Sequence, residues 1–229
     1  MPIGADSVAV ILGLMDIRSV PATVLRERLR HVRWIGGGSG AGKTTIARNL
    51  ATRHGLRVYS TDEAMRDHAA RSTSDDAPLL SRFLAMDMDE RWVNRSPETM
   101  LETFHWFDGE GFGFIVEDLL GMSAETGVIA EGFRLLPRLV APLLTTVEHS
   151  VWLLPTPEFR RAAFDRRGWD IPGRTSHPQR AAQNLLDRDR LFTDRIRNET
   201  TRLHLPAIEM GTAMTEADVT DAVGRIFRL

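Results

Sequence analysis

The ten residues Gly36-Gly37-Gly38-Ser39-Gly40-Ala41-Gly42-Lys43-Thr44-Thr45 constrain this chain more than any other stretch. From Gly37 to Thr44 they follow the spacing G-x-x-x-x-G-K-[ST]. Glycines let the backbone curl so that successive N–H groups point inward, with no Cβ in the way. Such a cradle suits a polyphosphate, and the helix that follows aims its positive end at the same anion. Gly38, Ser39, Gly40, Ala41, Gly42, Lys43, Thr44 and Thr45 are therefore expected to bind the phosphates. Lys43 would reach the outer phosphates, and the Thr44 hydroxyl would meet a Mg²⁺ ion.

The flanks agree with the motif. His31-Val32-Arg33-Trp34-Ile35 predicts a strand before the loop, and Thr45 to Ala51 an amphipathic helix after it, closed by Gly55. Lys43 is the only lysine, and the other 28 of the 29 basic residues are arginine. A compact ammonium stands where a point charge suits a phosphate better than a planar fork.

The 229 residues, 42% hydrophobic and 26% charged, suffice for one α/β domain with an insertion. A net charge of −2 argues against a general nucleic-acid or anionic-membrane binder. The absence of cysteine excludes disulfides, thiolate nucleophiles and cysteine-based zinc sites, which fits a cytoplasmic setting. The apolar run Val8 to Met15 is too short to span a bilayer and lacks a basic flank, so it reads as a segment packed on the domain or on a second subunit.

Further strands are predicted at Leu56–Ser60, Gly127–Gly132, Ser150–Leu154 and Leu203–Met210, the last at an edge or bulge because of Pro206. Helices are predicted over Ala22–Arg30, from Pro97, around Phe114–Leu120, and over Pro137–Leu144, Glu158–Arg167 and Gln179–Arg202. Thr215-Glu216-Ala217-Asp218 reads as a cap before a final helix. Alternating strands and helices imply an α/β fold: a three-layer α/β/α sandwich on a five-stranded parallel sheet. Ligands of such sheets sit beyond the carboxyl ends of the strands, where Asp62 and Glu131 fall.

This order of parts resembles the small P-loop kinases of the nucleoside monophosphate kinase-like family, which includes shikimate and gluconate kinases and chloramphenicol phosphotransferase. The likeness runs from about residue 30 onward: P-loop, acid after the second strand, helical insertion (about 63–122), acid-Gly after the third strand, arginine-rich lid (about 158–178). It implies a single kinase domain over 1–229. It also implies that Asp62 approaches the acceptor hydroxyl, although Asp62 could instead cap a helix over Glu63–Arg66. Glu131-Gly132-Phe133-Arg134 is similar to the Asp-Gly-Phe-Pro-Arg segment of adenylate kinases. By that likeness Glu131 holds the water shell of magnesium and Arg134 faces the acceptor, with Arg138 as a second candidate.

A closing lid commonly supplies arginine to the transferred phosphoryl group. The candidates are Arg160, Arg161, Arg166, Arg167 and Arg174, with Arg166 and Arg174 the preferred pair. Arg188-Asp189-Arg190 looks like the arginine-containing segment after the lid of shikimate kinase, and Gly211–Met214 occupies the place of the adenine site. His105 and Trp106, within the aromatic run Phe104–Phe107, suit a ring-bearing or apolar acceptor, or else a satellite core. Asp67 and His68 read as a solvated helix face.

The activity implied is ATP- and Mg²⁺-dependent transfer of the γ-phosphate to a hydroxyl of a small molecule, a metabolite or an antibiotic. The partners are then a small molecule, with no nucleic acid or membrane, and the protein a monomer or homodimer. A nucleoside monophosphate kinase is the alternative, and a nucleotide-dependent switch a more distant one.

Overall fold

The computed structural model describes residues 20–168 and 170–229; the Val8–Met15 run lies outside them. Strands β1 (Val32–Gly37), β2 (Arg57–Ser60), β3 (Val128–Glu131), β4 (Ser150–Pro155) and β5 (Ala207–Met210) form one sheet in the order β2-β3-β1-β4-β5. Every pairing is parallel. Side chains alternate across such a sheet. Val32, Trp34, Val128, Ala130, Trp152 and Leu154 enter one buried cluster, whereas Ile35, Ile129, Val151 and Leu153 enter another. Two cores on two faces define the α/β/α sandwich of a P-loop NTPase.

On one face lie α2 (Lys43–His54) and α13 (Glu216–Phe227), which bury Ile46, Leu50, Val219, Val223 and Phe227. The other face carries α1 (Ala22–Arg28) and the long α12 (Pro178–Arg202), with Leu25, Phe192 and Ile196 inward. The insertion between β2 and β3 holds six helices: α3 (Met65–Arg71), α4 (Pro78–Ala85), α5 (Met88–Trp92), α6 (Pro97–Thr103), α7 (His105–Asp108) and α8 (Phe112–Gly121). It docks on α12 through a small core of Trp92, Val93 and Met100 with Ala181 and Leu185. Asn184 of α12 reinforces the contact by donating to the carbonyls of Trp92 and Val93 at 3.1 and 3.2 Å.

Several boundaries differ from the sequence expectation for identifiable reasons. β1 runs on through Gly36 and Gly37 because they pair with Trp152 and Leu153 of β4, an approach that leaves no room for a Cβ at Gly36, which would lie 2.3 Å from the Trp152 indole nitrogen. Helix α2 starts at Lys43, two residues early, behind a left-handed Gly42. The segment Pro137–Leu144 divides into α9 (Pro137–Val140) and a 3₁₀ turn (Ala141–Leu143), since Pro142 has no N–H to continue an α-helix. β5 is four residues long rather than eight, because Leu203–Leu205 make a turn with His204 at φ +53°. Pro206 precedes the strand and accepts from the Trp152 amide at 3.0 Å. The segment expected to be a lid holds α10 (Pro157–Arg167) followed by a short α11 (Asp170–Gly173) within the expected loop. At α13, Thr215 and Asp218 form the expected reciprocal cap.

The Trp152 indole, fully buried, donates to the Leu135 carbonyl at 2.8 Å and so pins the segment after β3 to β4. Trp152→Phe leaves that carbonyl without a partner and is expected to cost about 1–3 kcal/mol, read as a lower urea midpoint at unchanged m-value.

Candidate functional site

The loop between β1 and α2 is closed on itself and on its neighbours. Gly37 has φ +124°, and a Cβ there would fall 2.1 Å from the Leu153 carbonyl, so only glycine fits. The Gly38 amide donates back to that carbonyl at 3.1 Å. Lys43, largely buried, reaches across the loop and donates to the Gly38 carbonyl at 2.8 Å. Gly40 and Gly42 are left-handed at φ +77° and +76°, as a cradle of inward amides requires.

Register then delivers the carboxylate. Glu131, the last residue of β3, pairs with Ile35 on one side and Ser60 on the other. Its fully buried Oε1 accepts from the Thr44 hydroxyl at 3.1 Å and the Ser60 hydroxyl at 2.7 Å, whereas Oε2 is buried without a partner. Next to it Gly132, at φ +145°, lies so close to the end of β2 that a Cβ would meet Thr61 Oγ1 at 1.7 Å and Asp62 Oδ1 at 3.2 Å. Asp62 is thereby held beside Gly132, exposed, with one oxygen 3.4 Å from the Thr61 hydroxyl. It does not cap a helix: α3 begins at Met65, and its N-cap position is Ala64.

Arg134 is buried two residues further on. It donates to the carbonyls of Thr61 (3.3 Å) and Gly111 (3.1 Å) and lies 4.0 Å over the Trp106 ring. Burial lowers its pKa to about 10, against an upward pull from Tyr59, Asp62 and Asp118. Arg138 instead pairs with Glu199 at 3.3 Å and caps the Asp108 carbonyl at the base of the insertion. His105 and Trp106 are both buried. The His105 ring packs 4.4 to 5.0 Å from the rings of Trp106, Phe104 and Phe83. Its environment is that of a core residue. His68, expected on a solvated face, is fully buried.

The lid arginines separate. Arg166 is exposed and lines a cavity of about 270 Å³ with Gly40, Gly42, Phe159, Met210 and Met214. That cavity lies beside the P-loop, at the start of the segment Gly211–Met214. Arg174 is exposed and faces Asp170 at 3.6 Å. The arginine that touches the loop is Arg160: fully buried, it donates to the Ser39 carbonyl at 3.3 Å and to the Thr193 hydroxyl of α12. Its placement was latent in the Thr156-Pro157 cap, which sets Arg160 one turn above the end of β4. Ser60 and Thr193 carried no comparable signal. Arg188 is buried with Asp189 among Trp92, Phe104 and Phe107 at 5.1–5.2 Å. At the far end of the lid, Ser176 donates its amide (2.8 Å) and its hydroxyl to Asp89 of the insertion.

A family profile described as an AAA domain matches residues 36–133, from the P-loop to just past Gly132. It supports a P-loop NTPase-like kinase in general and singles out none of the kinase subfamilies named above. No curated protein matches the chain. Among solved structures, the crystal structure of an uncharacterized protein from Eubacterium ventriosum ATCC 27560 is similar at 15% identity and a TM-score of 0.45. That likeness covers 86% of this chain and 97% of that one. Among the described residues no helix is long and apolar enough to cross a membrane.

Burial drives the His105 imidazole down to about 3, helped by repulsion from Arg134 and Arg91. The unfolded chain therefore takes up this proton first, so stability is whole above the ordinary histidine pKa and is lost as pH falls below it. From pH 7 to pH 5 the loss from His105 is expected to be about 2 kcal/mol, and His105→Phe should remove that part of the slope in urea titrations.

Proposed function

We propose that the protein is an ATP-dependent phosphotransferase that moves the γ-phosphate to a hydroxyl of a small molecule. One observation carries the proposal: two carboxylates in opposite environments meet beside the P-loop. Glu131 is sealed against Thr44 with one oxygen unsatisfied, and Asp62 stands exposed beside Gly132, the residue after Glu131 in the chain.

The sealed pair suits a magnesium ion. Among the described residues no group of three or more His, Asp or Glu could cage a metal alone. Mg²⁺ in nucleotide sites takes few protein ligands, the rest being phosphate oxygens and water. Thr44 and the free oxygen of Glu131 would hold it, and when bound it neutralises charge on the β- and γ-phosphates. P-loop amides and Lys43 grip the polyphosphate. Arg166, exposed beside the cavity where a purine would sit, supplies positive charge to the transferred group, while Arg160 braces the loop through the Ser39 carbonyl. Asp62 takes the proton as the acceptor oxygen forms its bond to phosphorus and the bond to the β-phosphate oxygen breaks, leaving ADP and a phosphomonoester.

The arginines that would grip an acceptor phosphate are committed elsewhere, which favours an unphosphorylated acceptor over a nucleoside monophosphate. Arg134 serves two carbonyls, Arg138 serves Glu199, and Arg91 serves the Phe83 and Leu84 carbonyls at 3.0 Å. The net charge of −2 fits small-molecule partners without nucleic acid or membrane. A cytoplasmic monomer or homodimer with access to ATP completes the proposal.

Calorimetry with Mg·ATP and an ADP-release assay over hydroxyl compounds and nucleoside monophosphates test it. Lys43→Ala is expected to abolish transfer and weaken ATP binding. Asp62→Asn is expected to keep ATP binding and lower turnover by about 100-fold. Full activity of the Asn variant removes Asp62 from the chemistry, and robust turnover with nucleoside monophosphates alone replaces the acceptor class.

A further inference from the structure

A buried polar chain beneath Asp62 is not used by the transfer chemistry. His68 engages both ring nitrogens: Nε2 lies 2.8 Å from Asp118 Oδ2, and Nδ1 lies 2.9 Å from Arg134 Nη1. A guanidinium offers only donors, so Nδ1 accepts and the proton resides on Nε2, which donates to Asp118. Asp118 also accepts from the Tyr59 hydroxyl at 2.6 Å and from Arg71 at 3.3 Å. At the other end, Arg134 holds the Thr61 carbonyl, the Gly111 carbonyl and the Trp106 face. One guanidinium thus ties the loop that carries Asp62 to the glycine turn and aromatic floor of the insertion.

We propose that His68, its tautomer set by Asp118, is a positioning residue which, through a neutral imidazole, holds Arg134 and with it the Thr61–Asp62 loop in the geometry that presents Asp62 to the acceptor. This rests on Asp62 as the base. A protonated His68 would set N–H against N–H at Arg134 and add a third positive charge beside Arg134 and Arg71. The groups facing the ring are Asp118 from α8, Arg134 from the loop after β3, Tyr59 from β2, and Arg71 on its own helix; the Phe114 ring lies 5.5 Å away. Burial holds the imidazole pKa below its ordinary value, with Arg134 and Arg71 acting in the same direction and Asp118 opposing, which favours the neutral form.

Two substitutions in the full chain split the chain of contacts. In His68→Asn the amide oxygen stands near the place of Nδ1 and keeps Arg134, whereas in His68→Gln the amide nitrogen stands near the place of Nε2, keeps Asp118 and loses Arg134. The Gln variant is expected to lose about 100-fold in kcat at unchanged KM for Mg·ATP, and the Asn variant at least tenfold less than that, both with a cooperative thermal transition. A packing role alone predicts the reverse order, since Gln fills more of the site, and that order or equal losses overturns the proposal.

¹⁵N-imidazole NMR of the full chain with Mg·ADP needs no acceptor. It should show His68 as the Nε2–H tautomer, perturbed by Arg134→Lys, with the Thr61 and Asp62 amides displaced in His68→Gln and undisturbed in His68→Asn. An Nδ1–H tautomer, or amides that ignore the substitution, overturns the positioning role. If the NMR pattern appears while no hydroxyl compound is phosphorylated, the geometry stands and Asp62 as kinase base falls.

Discussion

The structure depends on a carboxylate kept inside a sheet. Glu131 is fully buried at the end of β3, where an ionised group is tolerated only with partners. Those partners come from two elements brought together by the strand order: Thr44 from the helix after β1 and Ser60 from β2. With β3 between β1 and β2, one acid touches both Thr44 of the P-loop and the end of the strand that leads to Asp62. The close approach at Gly132 follows from the same need, because any side chain there would push the end of β2 away. The other Glu131 oxygen remains buried without a partner.

The insertion is wired to this centre by arginine rather than by apolar packing alone. Arg134 spans from the Thr61 carbonyl to Gly111 and Trp106, and Arg138 ties Glu199 of α12 to the turn after Phe107. Long planar side chains with several donors can satisfy carbonyls in separate loops while covering an aromatic ring, a combination lysine does not offer. In a chain with a single lysine, arginine is the material from which those connections are made. Both guanidiniums are committed to carbonyls or to Glu199, so these two site candidates of the sequence act as struts in the structure.

Local chemistry was legible in the sequence, and long-range pairing was not. The P-loop, the five strands, the Thr215 cap and the proline-led helix starts rest on residues close together in the chain, and each appears where it was expected to within a few residues. The acids after β2 and β3 were legible because parallel topology fixes which strand ends converge. What escaped depends on contacts across many residues. Nothing near His68 in the sequence reveals Asp118 fifty positions on, so a buried imidazole read as a surface one. Arg160 and Arg166 carry the same local signature, and only the packing of α10 against the loop and Thr193 separates the buried one from the exposed one.

Lys43 lies within the loop with its amine folded onto the Gly38 carbonyl. Since no other lysine exists in the chain, every side-chain primary amine in a solution of this protein belongs to this glycine-rich loop. An amine-directed acylating or reductive-alkylating reagent therefore has one side-chain target, and its rate of attachment there reads out how firmly the loop holds that amine. Immobilisation or dye labelling through lysine, routine for most proteins, would on this one modify the loop itself.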